Sequence, residues 1–410
     1  MIKTLIYRML ERRHYWRYVS FSEIAELYAS RLLRIFGVSM VSIFVAIYLY
    51  QNGYGLTFIA FFFAAYYVFR ALTSYPFAYV IARIGPKHAT LLSNFLYIPA
   101  MLFLVTLPEW GIYAILGFAF FQSISLSLYD MAYLVDFSKV KHDEHAGREI
   151  GYMHMLEQIA RGSSPFIGGF LAYWFGPQVT LFVAAGIFLL SALPLFFTAE
   201  PVRTHQSITF HGIPWKRIRH PMLAYAADGW DTIASSLLWS LFVAIAILGT
   251  TSNTIYAQLG VLASLTMVTG IMSGKVFGMI VDRTKGKQLL NVGVIGNSLI
   301  HLTRPLVATP LGVVLVNVLN ELATTAYILP FTKGFFALAD DLPGYRIAFM
   351  SIMNASASLG AAVLCAIVGV LSLFFDESVA LQITYMVTAV AVLGILTHRF
   401  PALNSGRFKL

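Results

Sequence analysis

The chain has 410 residues, 58% hydrophobic and only 11% charged, with a formal net charge of +9 and a mean hydropathy of +0.74. A soluble domain carries about twice that charged fraction, so composition argues against a soluble enzyme and for a chain folded in lipid. The single cysteine, Cys365, excludes an internal disulfide framework; in its apolar run it is expected to be a buried, inert thiol.

Residues 1–23 form a basic N-terminal segment without an apolar h-region, so no cleaved signal peptide is expected. Ile2, Leu5, Ile6 and Met9 follow helical spacing, with Arg8, Arg12, Arg13 and Arg17 elsewhere on the wheel, as in a helix lying on an anionic membrane surface. A frayed basic tail is the alternative. Apolar stretches long enough to cross a bilayer then fall at 24–50, 56–82, 89–107, 110–136, 150–174, 178–198, 222–249, 255–281, 288–307, 310–336, 346–373 and 378–397. These predict an all-α polytopic membrane protein of twelve transmembrane helices. The spans divide into a first bundle (24–198) and a second (222–397), joined by a polar linker (199–221) and followed by a tail (398–410). Of the 28 lysines and arginines, seven lie within spans; the other 21 all fall on the side of the two termini, and the opposite loops hold none. That asymmetry places both termini in the cytoplasm, and a prokaryotic inner membrane is expected.

The halves repeat. SIFVAI at 42–47 recurs as SLFVAI at 240–245, an offset of 198. Gly162 and Gly360 keep that offset, and Arg83 and Arg283 differ from it by two. Two six-span repeats in parallel orientation predict a site at the interface between pseudo-symmetric halves.

GMIVDRTKGK at 278–287 resembles the G-x-x-x-D-R-x-G-R/K loop of the major facilitator superfamily, with one extra residue before Gly286. Its partner, AYVIARIGPK at 78–87, has Ala78 and Ala82 in place of the glycine and aspartate but keeps Arg83, Gly85 and Lys87. The resemblance implies the superfamily's twelve-helix fold and a cytoplasmic gate built on Gly278, Asp282 and Arg283. Arg83 would meet Asp136, and Arg283 would meet Asp340 or Asp341. A topological anchor with a surface ion pair is the alternative. GYMHMLEQIARGSSPFIGG at 151–169 resembles the superfamily's antiporter signature at Gly151, Pro165, Gly168 and Gly169, with Ala160 and Ser164 replacing glycines. It implies tight helix packing and a lean toward export. Span four carries no arginine, a departure from many proton-coupled members.

Ionisable residues at membrane depth are functional candidates by default. Arg70 stands midway along span two and is expected to face a cavity or pair with Asp130 or Glu157. Glu157 and Arg161 are four apart in span five, in the favourable order for an intrahelical pair. Glu321, near Asn317, Asn320 and Thr324, has no basic neighbour in its own helix and is a proton-coupling candidate. Arg304 is expected to snorkel toward the outer face. Arg31 and Arg34 in span one stand opposite Asp228 and Asp231 in span seven at nearly the repeat offset. These four predict an inter-half charge clasp made in one state and broken in another; Arg34 could instead meet Glu157. Trp230 is placed in the substrate pocket. HDEH at 142–145 lies in a basic loop and is read as solvated rather than as a metal site.

The reading that follows is a secondary transporter of a small organic solute, not an enzyme, working by alternating access as a proton-coupled exporter. The alternatives are organic-anion uptake through Arg70 and Arg161, or lipid handling. No phosphate-binding G-x-x-x-x-G-K-[ST] loop is present. The expected partners are a small-molecule substrate, protons and membrane lipids, with no nucleic acid, metal or cofactor, and the chain is expected to act as a monomer.

Overall fold

The computed structural model describes residues 21–140, 146–196, 208–250, 252–281, 286–342 and 344–404. In lipid no water satisfies backbone polar groups, so an apolar chain can cross only by bonding its own amides and carbonyls within helices. The described spans are accordingly helical: α1 (Phe21–Gln51), α2 (Leu56–Ile84), α3 (Pro86–Val105), α4 (Ile112–Val140), α5 (Ala146–Phe175) and α6 (Pro177–Phe196). After residues 208–214 come α7 (Trp215–Leu248), α8 (Thr254–Ile280), α9 (Gly286–Thr303), α10 (Pro310–Asp340), α11 (Arg346–Leu371) and α12 (Glu377–Thr397). Among the described residues ten of these are long and apolar enough to cross a membrane. The others are α5 and α9, whose interior polar residues include Glu157, Arg161, Asn297 and His301.

Boundaries follow local chemistry. Gly85 closes α2 and opens α3 in a single residue at φ 90°, a conformation disfavoured for L side chains, with Pro86 set at the first helical position. It belongs to the eroded loop motif, whose Lys87 reaches Glu26 of α1 at 3.5 Å. α10 shows a lipid-facing stripe: Leu311, Leu315, Leu319 and Leu322 are all exposed at three- and four-residue intervals.

Two structural details differ from a plain row of straight spans. α8 is interrupted after Ser264 and resumes at Met267. α7 contains two π-helical turns, Ala234–Leu238 and Val243–Leu248. A wide turn frees a carbonyl; the oxygen of Ala234 accepts from the Arg304 guanidinium at 3.1 Å and from the Tyr385 hydroxyl at 3.2 Å.

The halves meet along two seams, α2 against α11 and α5 against α8. The seams exchange when α1–α6 is mapped onto α7–α12, as pseudo-symmetric halves require. The α5–α8 seam is backbone against backbone. A Cβ on Gly169 would stand 2.4 Å from the Tyr256 oxygen, and one on Gly260 would stand 2.3 Å from the Pro165 oxygen. A Cβ on Gly168 would meet the Met40 oxygen of α1 at 2.6 Å. The signature-like Pro165, Gly168 and Gly169 therefore sit at the contact of α5 with α8 and α1.

Candidate solute cavity

Each half holds one of two buried charges at places related by the repeat, Arg34 and Asp231. In the first half, Arg34 of α1 donates to Asn94 Oδ1 of α3 at 2.6 Å and to Ser125 of α4 at 3.0 Å. Its guanidinium lies 3.9 Å from the Tyr129 ring centroid. In the second half, Asp231 of α7 accepts from Asn297 of α9 at 2.7 Å and from the Tyr327 hydroxyl of α10 at 2.6 Å. His301 Nε2 stands 2.6 Å from its other oxygen. Tyr129 and Tyr327 are themselves 198 residues apart. A buried charge is tolerated only when hydrogen-bonded, and both centres meet that condition with an Asn from the third span of their half; the Tyr from the fourth bonds Asp231 through its hydroxyl and faces Arg34 with its ring.

The expected clasp is therefore not made in this conformation. Arg34 and Asp231 are each 1% exposed and committed to their own halves. Arg31 bonds Glu157 at 2.5 Å and lies 3.5 Å from the Tyr133 ring centroid. The arginine that reaches Glu157 is thus Arg31, not Arg34. Asp228 accepts a long 3.3 Å bond from Tyr327, which spans it and Asp231. Helical phase explains the split: residues three apart on one helix differ by about 60° in direction, enough to send Asp231 into its own bundle and leave Asp228 at the interface.

Arg31 and Asp228 nonetheless line one cavity between the halves, of about 270 Å³. Its first-half wall also holds Tyr67 and Arg70 of α2 and Asp130 and Tyr133 of α4. The second-half wall holds Tyr225 and Thr232 of α7 and Asn354 and Ser358 of α11. Arg70 pairs with Asp130 and reaches across the seam to Asn354 Oδ1 at 3.3 Å. Arg161 stands 3.5 Å from the second oxygen of Glu157.

Other candidates lie elsewhere. Trp230 does not line the cavity; its indole N–H donates to Thr388 of α12 at 3.0 Å. Arg304 does not snorkel: it is fully buried and donates to Ser235 at 3.1 Å and Asn320 at 2.9 Å. Asn317 accepts from Trp239 at 2.6 Å. Glu321 has partners from the opposite half, accepting from Gln158 of α5 at 2.9 Å with His154 at 3.6 Å. On the terminal side Asp340 bonds Arg346 at 2.5 Å, Arg83 is exposed and Gly278 is buried. Asp282, Arg283 and the side chain of Asp136 lie outside the described residues, as do HDEH at 142–145 and residues 1–20.

Sequence reasoning missed a latch on the far side, away from the termini. Glu377, at the start of α12, accepts from the Tyr50 hydroxyl at 2.6 Å and the Leu56 amide at 3.0 Å. Gln51 donates to the Thr250 oxygen at 2.9 Å and accepts from Tyr256 at 2.6 Å. All four bonds cross between halves. The available sequence signal was an acidic residue in a loop otherwise free of basic charge.

The family profile described as Major Facilitator Superfamily matches residues 27–363. The chain belongs to that superfamily. It is therefore a membrane carrier of small solutes in an integral, multi-pass fold. Among solved structures it is similar to a POT family transporter in complex with a thioalcohol-conjugated peptide (TM-score 0.69, 13% identity, 91% of this chain and 95% of that one). It is also similar to the E. coli fucose:proton symporter (0.65, 15%, 93% and 98%). A human organic anion transporter is a third (0.68, 10%, 93% and 100%). No curated protein sequence matches. At these identities the likeness is one of fold, and the named solutes differ in kind, so the superfamily's architecture leaves the solute to the cavity.

Proposed function

We propose that this superfamily member is a secondary transporter that exchanges a small organic solute for protons by alternating access. It works as a monomeric exporter in a prokaryotic inner membrane with both termini in the cytoplasm. The observation that carries the reading is the charge state of the cavity. Among the described residues, Asp228 is the one charged side chain in its wall with no opposite charge in contact. An ionised carboxylate at membrane depth with one long hydrogen bond is costly. A proton or a positively charged group relieves that cost, and only one can occupy the carboxylate at a time. Competition for one site couples outward solute movement to inward proton movement. The far-side bonds at Glu377 and Gln51 fit a state closed to the outside. The opposing gate is assigned to Arg83, Asp136 and the Gly278, Asp282, Arg283, Asp340 and Asp341 region. Organic-anion uptake through Arg70 and Arg161 fits less well, since Arg70 pairs with Asp130 and Arg161 does not line the cavity.

The test is exchange from proteoliposomes loaded with a mixed metabolite extract, with an imposed pH gradient and mass spectrometry of what leaves. Loss of a defined solute class that follows the gradient, and loses that dependence in Asp228→Asn, is expected. Efflux indifferent to the gradient in the unaltered protein would remove proton coupling.

A further inference from the structure

Charges in the middle of the bundle are unevenly shared between the halves. The first half carries Arg31, Arg34, Arg70 and Arg161 against Asp130 and Glu157. The second carries Asp228, Asp231 and Glu321 against Arg304, with Lys275 and Lys333 nearer the terminal side. Two of these imbalances are absorbed behind the walls: Arg34 among Asn94, Ser125 and Tyr129, and Asp231 among Asn297, His301 and Tyr327. What remains at the cavity is polar in a definite direction. On one side Arg31 lines the cavity, and the Glu157 carboxylate behind it, 2.5 Å away, is shared at 3.5 Å with Arg161 outside the wall, so the group of three carries one net positive charge. On the other side Asp228 has only the Tyr327 hydroxyl. Arg70 and Asp130 cancel each other in between.

A pure anion entering this space would gain Arg31 but come close to Asp228. A pure cation would gain Asp228 but leave the arginine surplus unmet. A solute with both charges satisfies both walls, and does so only when it spans from one half to the other. We propose that the solute carried in this cavity is a small zwitterion, its anionic end held by Arg31 on the first half and its cationic end by Asp228 on the second. The volume of about 270 Å³ corresponds to about nine waters at bulk density, so the ligand has on the order of ten non-hydrogen atoms. Tyr225, on the same helix as Asp228, and Tyr67 on the opposite wall add aromatic surface to the cavity. Arg31 and Asp228 then form a clasp completed by the solute rather than by direct contact.

The proposal rests on the transport reading above, but it is tested by binding alone. Purified protein in mild detergent is unfolded thermally with two matched trios. One is leucine, N-acetyl-leucine and leucinamide; the other is 6-aminohexanoate, hexanoate and hexylamine. In at least one trio the zwitterion is expected to stabilise at about tenfold lower concentration than either singly charged analogue, the worth of one charge-assisted contact. Asp228→Asn should reduce the zwitterion to the level of the anion, and Arg31→Gln to the level of the cation. Equal or better stabilisation by a singly charged analogue in both trios overturns the proposal. So does an absence of stabilisation by either zwitterion at millimolar concentration. Because no gradient is involved, failure here leaves the proton-exchange measurement to stand or fall separately.

Discussion

At the scale of single residues, the buried Arg34 centre makes a prediction about stability. Arg34→Met should leave Asn94, Ser93 and Ser125 without their donor and cost about 3 kcal/mol, from one to two unmet buried groups and lost ring contact. Thermal unfolding in detergent measures it, and a loss within error of a surface substitution would contradict the buried role. His398, just past α12, makes a prediction about pH. Burial, helped by Lys287, pushes its imidazole down to about 4, and its Nδ1 accepts from the Phe400 amide at 3.2 Å. The unfolded chain binds the proton near pH 6.5, so this stability is full above that value. It is lost as pH falls from about 6.5 toward 4, on the order of 2 kcal/mol after allowance for solvent screening. His398→Asn should flatten melting temperature against pH in that window. An unchanged slope would show that the titration lies elsewhere.

At the scale of helices, the α5–α8 seam depends on having no side chain at Gly169 and Gly260. An alanine at Gly169 must displace the Tyr256 carbonyl, and overpacking of this kind costs about 1–3 kcal/mol. Gly169→Ala should therefore destabilise the far-closed state, in which the helices are in contact. Cysteines introduced at Gln51 and Thr250, which remove the Gln51 side-chain bonds and leave those of Glu377, report it: disulfide formation between them should slow severalfold when Gly169→Ala is added. The seam was partly legible beforehand, because a small-residue pattern in a membrane helix predicts close packing. The partner helix was not legible. Nothing along α5 says that α8 of the other half, rather than a neighbour in its own bundle, provides the opposing carbonyl.

At the scale of the whole molecule, function requires two arrangements of similar free energy. The bonds at Glu377 fix the far side, so Glu377→Ala should release two of them and move the population toward opening on that side. A change of about 1–2 kcal/mol shifts a two-state ratio by about 5- to 30-fold. Hydrogen exchange at the amides of Leu56 and Ala380 should rise accordingly. Unchanged protection would mean that Gln51 and the glycine seam suffice to hold the closure.

Span number, span limits, the two-fold repeat and the superfamily were determined by sequence alone, because lipid imposes a local rule. Every span must be apolar over a fixed length and satisfy its own backbone, and each of the twelve helices contains most of the stretch its composition marked. The pairing of Arg70 with Asp130 was among the stated options for the same reason: a lone guanidinium at depth needs a partner, and few are available. Only the tertiary structure decided where equivalent residues point. SIFVAI is regular α-helix at 42–47, whereas much of its near-copy at 240–245 lies in or beside a π turn. Arg304 is fully enclosed instead of reaching the surface. Asp231 turns into its bundle while Asp228, three residues earlier, lines the cavity. These outcomes depend on helical phase and on which neighbour arrives from a distant part of the chain. Apolar composition, which is nearly the same on every side of a buried helix, carries no signal of either.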